Sequence, residues 1–295
     1  MDFKKIVIIS PYRGIGDIIF HIPLFNGLYK KYKSKLIIIT NSASKAKFLL
    51  KNQKYIRKIY YINFKRENQI KNSYLFLKKL NYLSADISIL TAPTKRLVIP
   101  LLISNSKKKI FFKKNNIKDL AKYIFLQSKN IFSDLNFESN YKIKTNSPFI
   151  LDHTLFINID SHHDQNNWGE ENFIKLIQKI IEIKMIKKIY INFSPNKLRK
   201  FKKIFDKFNK EKKILFTYKK QFGEIISYIN HSKIVIGNES GPICIGAALN
   251  RKVLSIYHPK HTNKSSLTIN KKVKFFNTKE ISSSKIILKI LKFLK

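Results

Sequence analysis

The sequence has a single cysteine and no long apolar run. Because Cys244 stands alone among 295 residues, an intramolecular disulfide framework is excluded and a reducing compartment is favoured. The first ten residues do not form an apolar core typical of a signal peptide, so we expect no export signal. Apolar runs such as 97–103 are far shorter than the ~20 residues that a membrane-spanning helix needs. We therefore expect a protein that is soluble or peripheral to a membrane.

Acidic residues are also scarce. Eighteen Asp and Glu stand against 59 Lys and Arg, and the formal net charge is +41. A polyanionic partner, either nucleic acid or an anionic membrane face, is one explanation. The other is composition, which we favour because basic residues are spread over nearly every predicted helix. A basic nucleic-acid-binding protein stays an alternative, although neither a nucleic-acid module nor aromatic-basic repeats are recognisable, so nucleic acid is the less favoured partner.

Short runs rich in Ile and Val alternate with longer segments of helical spacing, which is typical of βα units around a parallel sheet. Strands are predicted at 6–10, 36–40, 58–62, 86–90, 109–112, 155–160, 188–193, 214–218, 233–238 and 252–257. Helices are predicted at 17–32, 44–52, 67–83, 95–103, 117–131, 172–183, 195–210, 222–231, 241–249 and 282–294. The polar stretch around 137–153 predicts a boundary between domains 1–145 and 146–295. We expect two Rossmann-like, doubly wound α/β domains with an interdomain cleft at the carboxyl ends of their strands.

The first predicted strand leads directly into Pro-Tyr-Arg-Gly-Ile-Gly-Asp at 11–17. Gly14 and Gly16 suit a tight turn, and Asp17 lies where a carboxylate can cap the free N–H groups of a helix. An ordinary capped turn explains these residues as well as a site does. Ile19 occupies the third glycine position of G-x-G-x-x-G, so the dinucleotide fingerprint is absent.

The second motif runs from the predicted strand at 233–238 into a helix of small and apolar residues. Asn238, Glu239 and Ser240 form the turn, and Gly241 and Pro242 begin the helix. A helix N-terminus presents backbone N–H groups and a positive dipole end, which suit a diphosphate. Glu239 can accept hydrogen bonds from ribose or sugar hydroxyls. We therefore favour a ligand-binding site here over an ordinary capped βα turn.

Together these motifs resemble glycosyltransferase family 9, the lipopolysaccharide heptosyltransferase family. Gly16, Asp17 and Pro23 match the first family motif, G-D-x5-P. The second motif, N-D-S-G-P-x-H-x-A-A, is followed at 238–248, and Trp168 begins a segment similar to W-x4-F-x2-L. The resemblance implies a GT-B fold of two Rossmann-like domains. It covers both domains, with the motifs in the family's order.

The resemblance implies inverting transfer of a sugar from a nucleoside-diphosphate donor, such as ADP-heptose, to a lipid-linked saccharide of lipopolysaccharide type. It makes Asp17 the general base and implies that no metal and no cofactor are needed. It also implies a cytoplasmic enzyme that can contact the anionic inner face of the membrane. The expected donor-binding residues are Asn238, Glu239, Ser240, Gly241 and Lys260. The expected phosphate and acceptor residues are Arg13, Gly14, Gly16 and His162.

The sequence departs from the family pattern at Tyr257-His258-Pro259, where a Gly-Pro turn is usual, and at three further positions. Glu239 and Cys244 stand where Asp and His are usual, and Asn167 replaces a common basic residue. A degenerate homologue that binds a nucleotide sugar without turnover is therefore a further alternative. Cys244 is predicted to lie in an apolar helix as a small hydrophobe, and His21 is predicted to be a core or cleft residue.

Overall fold

All strand pairings in the two sheets of the computed structural model are parallel. The structure describes residues 4–62, 69–113, 117, 119–134, 140–145, 150–161, 167–258, 272–279 and 281–294. The chain divides into an N-terminal unit, Met1–Lys144, and a C-terminal unit, Thr145–Lys295. Each unit has one sheet with helices packed against it.

The N-terminal unit contains five strands and six α-helices among its described residues. The strands are β1 (Ile6–Ser10), β2 (Leu36–Thr40), β3 (Ile56–Tyr61), β4 (Ile87–Leu90) and β5 (Lys108–Phe111). The helices are α1 (Ile15–Phe20), α2 (Ile22–Tyr32), α3 (Ala46–Leu50), α4 (Gln69–Leu83), α5 (Lys95–Ile103) and α6 (Leu120–Ile131). The strand order β3-β2-β1-β4-β5 is that of a Rossmann fold, and the order reverses between β1 and β4.

The C-terminal unit contains six strands and five α-helices among its described residues. The strands are β6 (Leu151–Asn158), β7 (Lys188–Asn192), β8 (Ile214–Phe216), β9 (Ser232–Asn238), β10 (Lys252–Tyr257) and β11 (Val273–Asn277). The helices are α7 (Glu170–Ile181), α8 (Lys202–Phe208), α9 (Phe222–His231), α10 (Gly241–Ala248) and α11 (Ser283–Leu294). The order β11-β10-β9-β6-β7-β8 repeats the Rossmann arrangement, with its reversal between β6 and β9.

Burial on both faces of each sheet explains why the strands have continuous apolar sequences. Parallel strands with helices on their faces bury both sides, and every residue of β1 and β2 is buried. In the N-terminal unit, α4 and α5 cover one face of the sheet through Phe76, Leu80 and Leu101. In the C-terminal unit, α7 and α11 cover a face through residues such as Phe173 and Ile290.

Three predictions about these elements were wrong. A single helix at 17–32 was expected, but α1 and α2 are separate because Pro23 has no N–H to bond the Ile19 carbonyl and its ring would clash there. A single helix at 195–210 was expected, but a 3-10 turn at Pro195–Lys197 precedes α8. The edge strand β11 was missed altogether.

Candidate functional site

Asp17 lies in the first turn of α1, just after the carboxyl end of β1, beside the point where the strand order reverses. In open α/β sheets, ligands bind at such reversal points. The Oδ2 atom of Asp17 accepts a hydrogen bond of 2.8 Å from the backbone N–H of Gly14. The side chain is half-buried, so the carboxylate is held in one place yet remains partly accessible.

Gly14 is needed for space rather than for backbone conformation. Its φ of −73° and ψ of 145° suit any residue. A Cβ atom at this position would, however, lie 2.6 Å from Oδ2 and 2.9 Å from Cγ of Asp17. The missing side chain of Gly14 therefore leaves the room that the Asp17 carboxylate occupies.

The surroundings make the Asp17 carboxylate more basic than an ordinary aspartate. Burial raises its pKa, and the hydrogen bond from Gly14 opposes this rise with a smaller effect. A raised pKa makes a carboxylate a stronger proton acceptor. The geometry and the pKa both suit a general base.

His21 supports the helix that carries Asp17. It is fully buried, and burial lowers its pKa to about 4, so the ring is neutral at neutral pH. Its Nδ1 atom lies 2.7 Å from the Asp17 carbonyl, which can only accept, so Nδ1 carries the proton. Nε2 then accepts from the Thr91 hydroxyl at 3.0 Å. His21 was predicted to lie in the core or to line the cleft, and its burial places it in the core.

Of the other residues predicted near Asp17, Arg13 is exposed and Gly16 lies half-buried in the first turn of α1. Tyr12, which sequence reasoning did not select, packs against His21 with 5.6 Å between ring centroids. Burial raises the pKa of Tyr12, and the nearby side chains of Tyr123 and Asp17 add to this. Its hydroxyl is therefore protonated, and it donates to the Thr91 carbonyl at 3.4 Å.

In the C-terminal unit, the predicted turn lies beside the point where the order of the second sheet reverses. Asn238 ends β9, Glu239 and Ser240 follow, and Gly241 begins α10. The Ser240 side chain does not cap the helix, because its Oγ atom instead accepts a hydrogen bond of 3.0 Å from Asn158 Nδ2. The N-terminus of α10 thus presents its backbone N–H groups and positive dipole end without a cap from Ser240.

A chain of polar side chains behind Ser240 was missed by sequence reasoning. Asn192 Nδ2 donates to Asn158 Oδ1 at 2.7 Å, and the Thr217 hydroxyl donates to Asn192 Oδ1 at 3.0 Å. All three side chains are buried, so these bonds fix the amide that holds Ser240. Each residue ends or directly follows an apolar strand. A polar residue at the carboxyl end of a buried parallel strand is the sequence signal that could have identified them.

Asn238 holds a second part of the turn. Its Nδ2 atom donates to the Ile159 carbonyl at 2.7 Å and to Asn167 Oδ1 at 3.1 Å. Its Oδ1 atom accepts from the Trp168 backbone N–H at 3.0 Å. Asn167 is therefore a hydrogen-bond partner of the turn.

Two glycines let the backbone come close to this turn. Gly237 has a φ of 149°, and a Cβ there would lie 2.0 Å from the Asn158 carbonyl oxygen on the neighbouring strand. A Cβ at Gly246 would lie 3.0 Å from Val235 Cγ1, which brings α10 close to the sheet. Gly237 therefore allows the close approach of β9 to β6, and Gly246 allows α10 to pack closely on β9.

A charged cluster lies just after the end of β6, two residues beyond Asn158. Asp160 is buried, and its Oδ1 atom lies 2.8 Å from Lys197 Nζ, while Oδ2 accepts from the backbone and the hydroxyl of Ser194. Lys197 also donates to the Ser161 carbonyl at 2.8 Å. These bonds hold the segment after β7 against the end of β6.

The sequence also led to predictions for Cys244, Glu239, Lys260 and His162. Cys244 is buried in α10, as expected, and Glu239 is half-buried, with its backbone N–H donating to the Ile256 carbonyl at 2.8 Å. Lys260 and His162 lie outside the described residues. Within the described ranges, no group of three or more His, Cys, Asp or Glu side chains could hold a metal ion.

Comparison with known proteins decides the family. The model of glycosyltransferase family 9 (heptosyltransferase) matches residues 111–289, more than half of the chain. The chain belongs to glycosyltransferase family 9. The resemblance inferred from the motifs is therefore confirmed, and with it the class of enzyme. No curated protein sequence matches the chain significantly.

Solved structures of a family 9 glycosyltransferase and of two heptosyltransferases share the fold over nearly the whole chain. A family 9 glycosyltransferase from Veillonella parvula has a TM-score of 0.80 at 15% identity, over 99% of this chain and 97% of the other. The E. coli ADP-heptose lipopolysaccharide heptosyltransferase II has a TM-score of 0.76 at 13% identity, over 98% of both chains. E. coli heptosyltransferase WaaC with ADP has a TM-score of 0.74 at 12% identity, over 98% and 99%. The expected GT-B architecture of two Rossmann-like domains is confirmed.

Proposed function

We propose that this family 9 enzyme transfers a sugar, heptose or a related one, from a nucleoside-diphosphate donor to a lipid-linked saccharide of lipopolysaccharide type. Transfer inverts the anomeric configuration, needs no metal, and uses Asp17 as the general base. The observation that carries the proposal is the Asp17 carboxylate, half-buried with a raised pKa and oriented by Gly14 at the carboxyl end of β1. That position and chemistry suit a group that accepts a proton from a hydroxyl.

The donor belongs to the C-terminal unit in this proposal. The diphosphate lies at the N-terminus of α10, where the backbone N–H groups and the Ser240 hydroxyl bind its oxygens. Glu239 accepts hydrogen bonds from ribose or sugar hydroxyls, and Lys260 adds positive charge. WaaC was solved with ADP, which supports an ADP-linked sugar such as ADP-heptose as the donor.

The reaction is a single displacement. Asp17 removes the proton from an acceptor hydroxyl as that oxygen attacks the anomeric carbon. The new glycosidic bond forms on the face opposite to the departing diphosphate, so the configuration inverts. The bond between the anomeric carbon and the phosphate oxygen breaks, and the charge that develops there is stabilised by the N-terminus of α10. Arg13, Gly16 and His162 are assigned to the acceptor and phosphate side.

A lipid-linked acceptor requires the enzyme to work at a membrane. The proposal therefore includes peripheral contact with the anionic inner face of the cytoplasmic membrane. None of the helices that the structure describes is long and apolar enough to cross a membrane. The high positive charge of the chain supports attraction to anionic lipid head groups.

Replacing Asp17 tests the proposed base. Asp17→Ala is expected to abolish sugar transfer while leaving the affinity for the nucleotide sugar nearly unchanged, because the donor lies in the C-terminal unit. Asp134→Ala is the matched control, since Asp134 is an exposed carboxylate of the same unit that pairs with Lys31. Transfer is measured by release of the nucleoside diphosphate and by the anomeric configuration of the product. Full activity of Asp17→Ala would exclude Asp17 as the base.

The donor is identified by thermal stabilisation of the wild-type protein with a set of nucleoside-diphosphate sugars. A ligand at 100 times its Kd stabilises the folded state by about 2.7 kcal/mol. We expect ADP-linked sugars to raise Tm more than UDP- or GDP-linked sugars. Ser240→Ala should reduce this shift, because it removes one hydroxyl from the diphosphate site. Stabilisation by a donor without turnover in the wild type would favour the degenerate homologue, and no shift with any sugar would contradict the proposed donor site.

A further inference from the structure

The structure assigns the outer face of α4 and α5 as the surface that docks onto an anionic phospholipid bilayer. We call it the α4–α5 face and define it by its exposed apolar residues Ile70, Tyr74, Leu75, Tyr82, Ile99, Leu102 and Ile103. The inference deepens the proposed function, because it names the surface that makes the proposed membrane contact. Its main test, the binding of vesicles, does not depend on sugar transfer.

Exposed apolar side chains are concentrated on this face. Among the described residues, twelve large hydrophobic side chains are exposed, and seven of them belong to α4 and α5. A contiguous exposed apolar surface usually marks a protein or membrane contact, whereas single exposed residues do not. The concentration on two neighbouring helices therefore calls for a partner.

The two helices form one outer layer. Both pack on the same face of the sheet, α4 through Phe76 and Leu80 and α5 through Leu97 and Leu101. The Ser73 hydroxyl donates to the Arg96 carbonyl at 3.4 Å, which links the two helices directly. Because one side of each helix is buried against the same sheet, the opposite sides point outward together.

The exposed residues follow the helical repeat. In α4, Ile70, Tyr74 and Tyr82 are spaced by multiples of four and form one stripe, which Lys78 completes. In α5, Ile99, Leu102 and Ile103 share the side opposite to Leu101. Apolar side chains with tyrosines and basic residues on one surface are typical of helices that lie in a membrane interface.

The charge of the region fits an anionic surface. Residues 69–113 contain nine Lys and Arg and a single carboxylate, Asp86. Asp86 pairs with Lys107 at 2.9 Å, and this pairing lowers the pKa of Asp86. Exposed lysines, among them Lys71, Lys78 and Lys95, surround apolar side chains, so lipid phosphates can be bound while Ile and Leu side chains enter the acyl boundary.

The same charge argues against self-association through this face. In a symmetric dimer the α4–α5 face would meet its own copy, so its lysines would lie against those of the other molecule. Like charges placed opposite one another cost several kcal/mol at an interface. An anionic bilayer, in contrast, gains from both the apolar and the basic residues.

Vesicle binding of the full chain tests the inference. Wild-type protein is sedimented with phosphatidylcholine vesicles with and without phosphatidylglycerol, in the absence of donor and acceptor. We expect binding that requires phosphatidylglycerol and weakens as salt is added. Binding to phosphatidylcholine vesicles that does not require phosphatidylglycerol, or no binding to either kind of vesicle, would overturn the inference.

Two sets of variants with matched controls locate the surface. The apolar variant, Ile99→Ser with Leu102→Ser and Ile103→Ser, is expected to weaken binding at least about tenfold. Its control replaces three exposed apolar residues of the C-terminal unit, Ile150→Ser with Met185→Ser and Leu288→Ser, and should bind as the wild type does.

The basic variant replaces Lys71, Lys78 and Lys95 by Gln, with an expected loss of affinity for the vesicles of about fivefold per lysine. Its control replaces exposed Lys175, Lys184 and Lys212 by Gln, with the same change of net charge.

The possible results separate this inference from its rivals. Equal losses in a variant and its control would show that overall charge or hydrophobicity, rather than this face, drives binding. A dimer in light scattering that dissociates in the apolar variant would identify a second copy as the occupant instead. Normal transfer to a soluble acceptor fragment with unchanged vesicle binding in the apolar variant would overturn the docking surface alone. Vesicle binding with no transfer activity would overturn the proposed function alone.

Discussion

Gly14→Ala is the sharpest test of the proposed base, because it moves the carboxylate of Asp17 without altering that residue. The new methyl group would lie 2.6 Å from Oδ2, whereas carbon and oxygen atoms are in favourable contact at about 3.5 Å. The carboxylate must therefore retreat by roughly 1 Å, and it loses the hydrogen bond from Gly14. The backbone itself accepts alanine, since φ is −73°.

The expected loss of activity is much larger than the loss of stability. A displacement of about 1 Å at a reacting group costs about 100-fold in rate, equivalent to about 2.7 kcal/mol. The lost hydrogen bond costs about 1 kcal/mol of folding free energy, and the stiffer unfolded chain of alanine returns about 0.4–1 kcal/mol. The variant should therefore be folded at the assay temperature and have a kcat about 100-fold below the wild type.

The pH dependence of the rate gives a second measurement. The Gly14 hydrogen bond lowers the Asp17 pKa, so its loss raises that pKa further. A base must be deprotonated to act, so the acidic limb of the kcat profile should move to higher pH. The Kd of the donor should not change, because the proposed donor site lies in the C-terminal unit.

A double-mutant comparison isolates the contact between the two residues. In the Asp17→Ala background there is no carboxylate for the methyl group to displace, so adding Gly14→Ala should raise Tm, because alanine makes the unfolded chain stiffer. In the wild-type background the same change should lower Tm or leave it unchanged. A wild-type kcat in Gly14→Ala, or the same change of Tm in both backgrounds, would refute the reasoning.

Two further predictions concern stability. His21 has a folded-state pKa of about 4, below the ordinary 6.5, so the folded protein binds fewer protons in that window and loses stability as pH falls through it. Urea unfolding should show the stability advantage of wild type over His21→Gln shrinking by about 3 kcal/mol between pH 7 and pH 4, and a constant difference would contradict the shifted titration. Tyr55 has a buried hydroxyl without a hydrogen-bond partner among the described residues, so Tyr55→Phe should raise Tm by about 2–4 °C. The control Tyr123→Phe removes a hydroxyl that donates to the Lys113 carbonyl at 3.1 Å and should lower Tm; a fall in both would show that the Tyr55 hydroxyl is stabilising.

Buried elements with strong periodicity were predictable from the sequence. The bounds of β1, β2, β10, α5 and α9 agree with those expected. Their apolar runs are bounded by turn residues, and local pattern and tertiary burial favour the same structure. The edge strand β11 was missed because it is only half-buried, although the alternation of Val273, Lys274 and Phe275 is a signal for it.

Other features depend on contacts between distant residues. The helix expected at 195–210 is interrupted between Lys197, which bonds Asp160, and Phe201, whose ring packs on Phe193 with 5.5 Å between centroids. Asn158 was not selected as a site residue, since its link to Ser240 spans 82 positions. The turn at 238–241 was predictable from its own composition, whereas the side chains that hold it were not.

The open sheets give the basic composition of the chain a structural meaning. A parallel sheet that does not close ends in two strands with one unpaired side, and such an edge can pair with another molecule and start aggregation. Of the four edge strands described, β8 is only three residues long. The other three carry exposed basic side chains, Arg57 and Lys58 in β3, Lys108 in β5 and Lys274 in β11. Positive charge at these edges repels a second copy, so the residues that make the composition so unbalanced also protect the fold from edge-to-edge association.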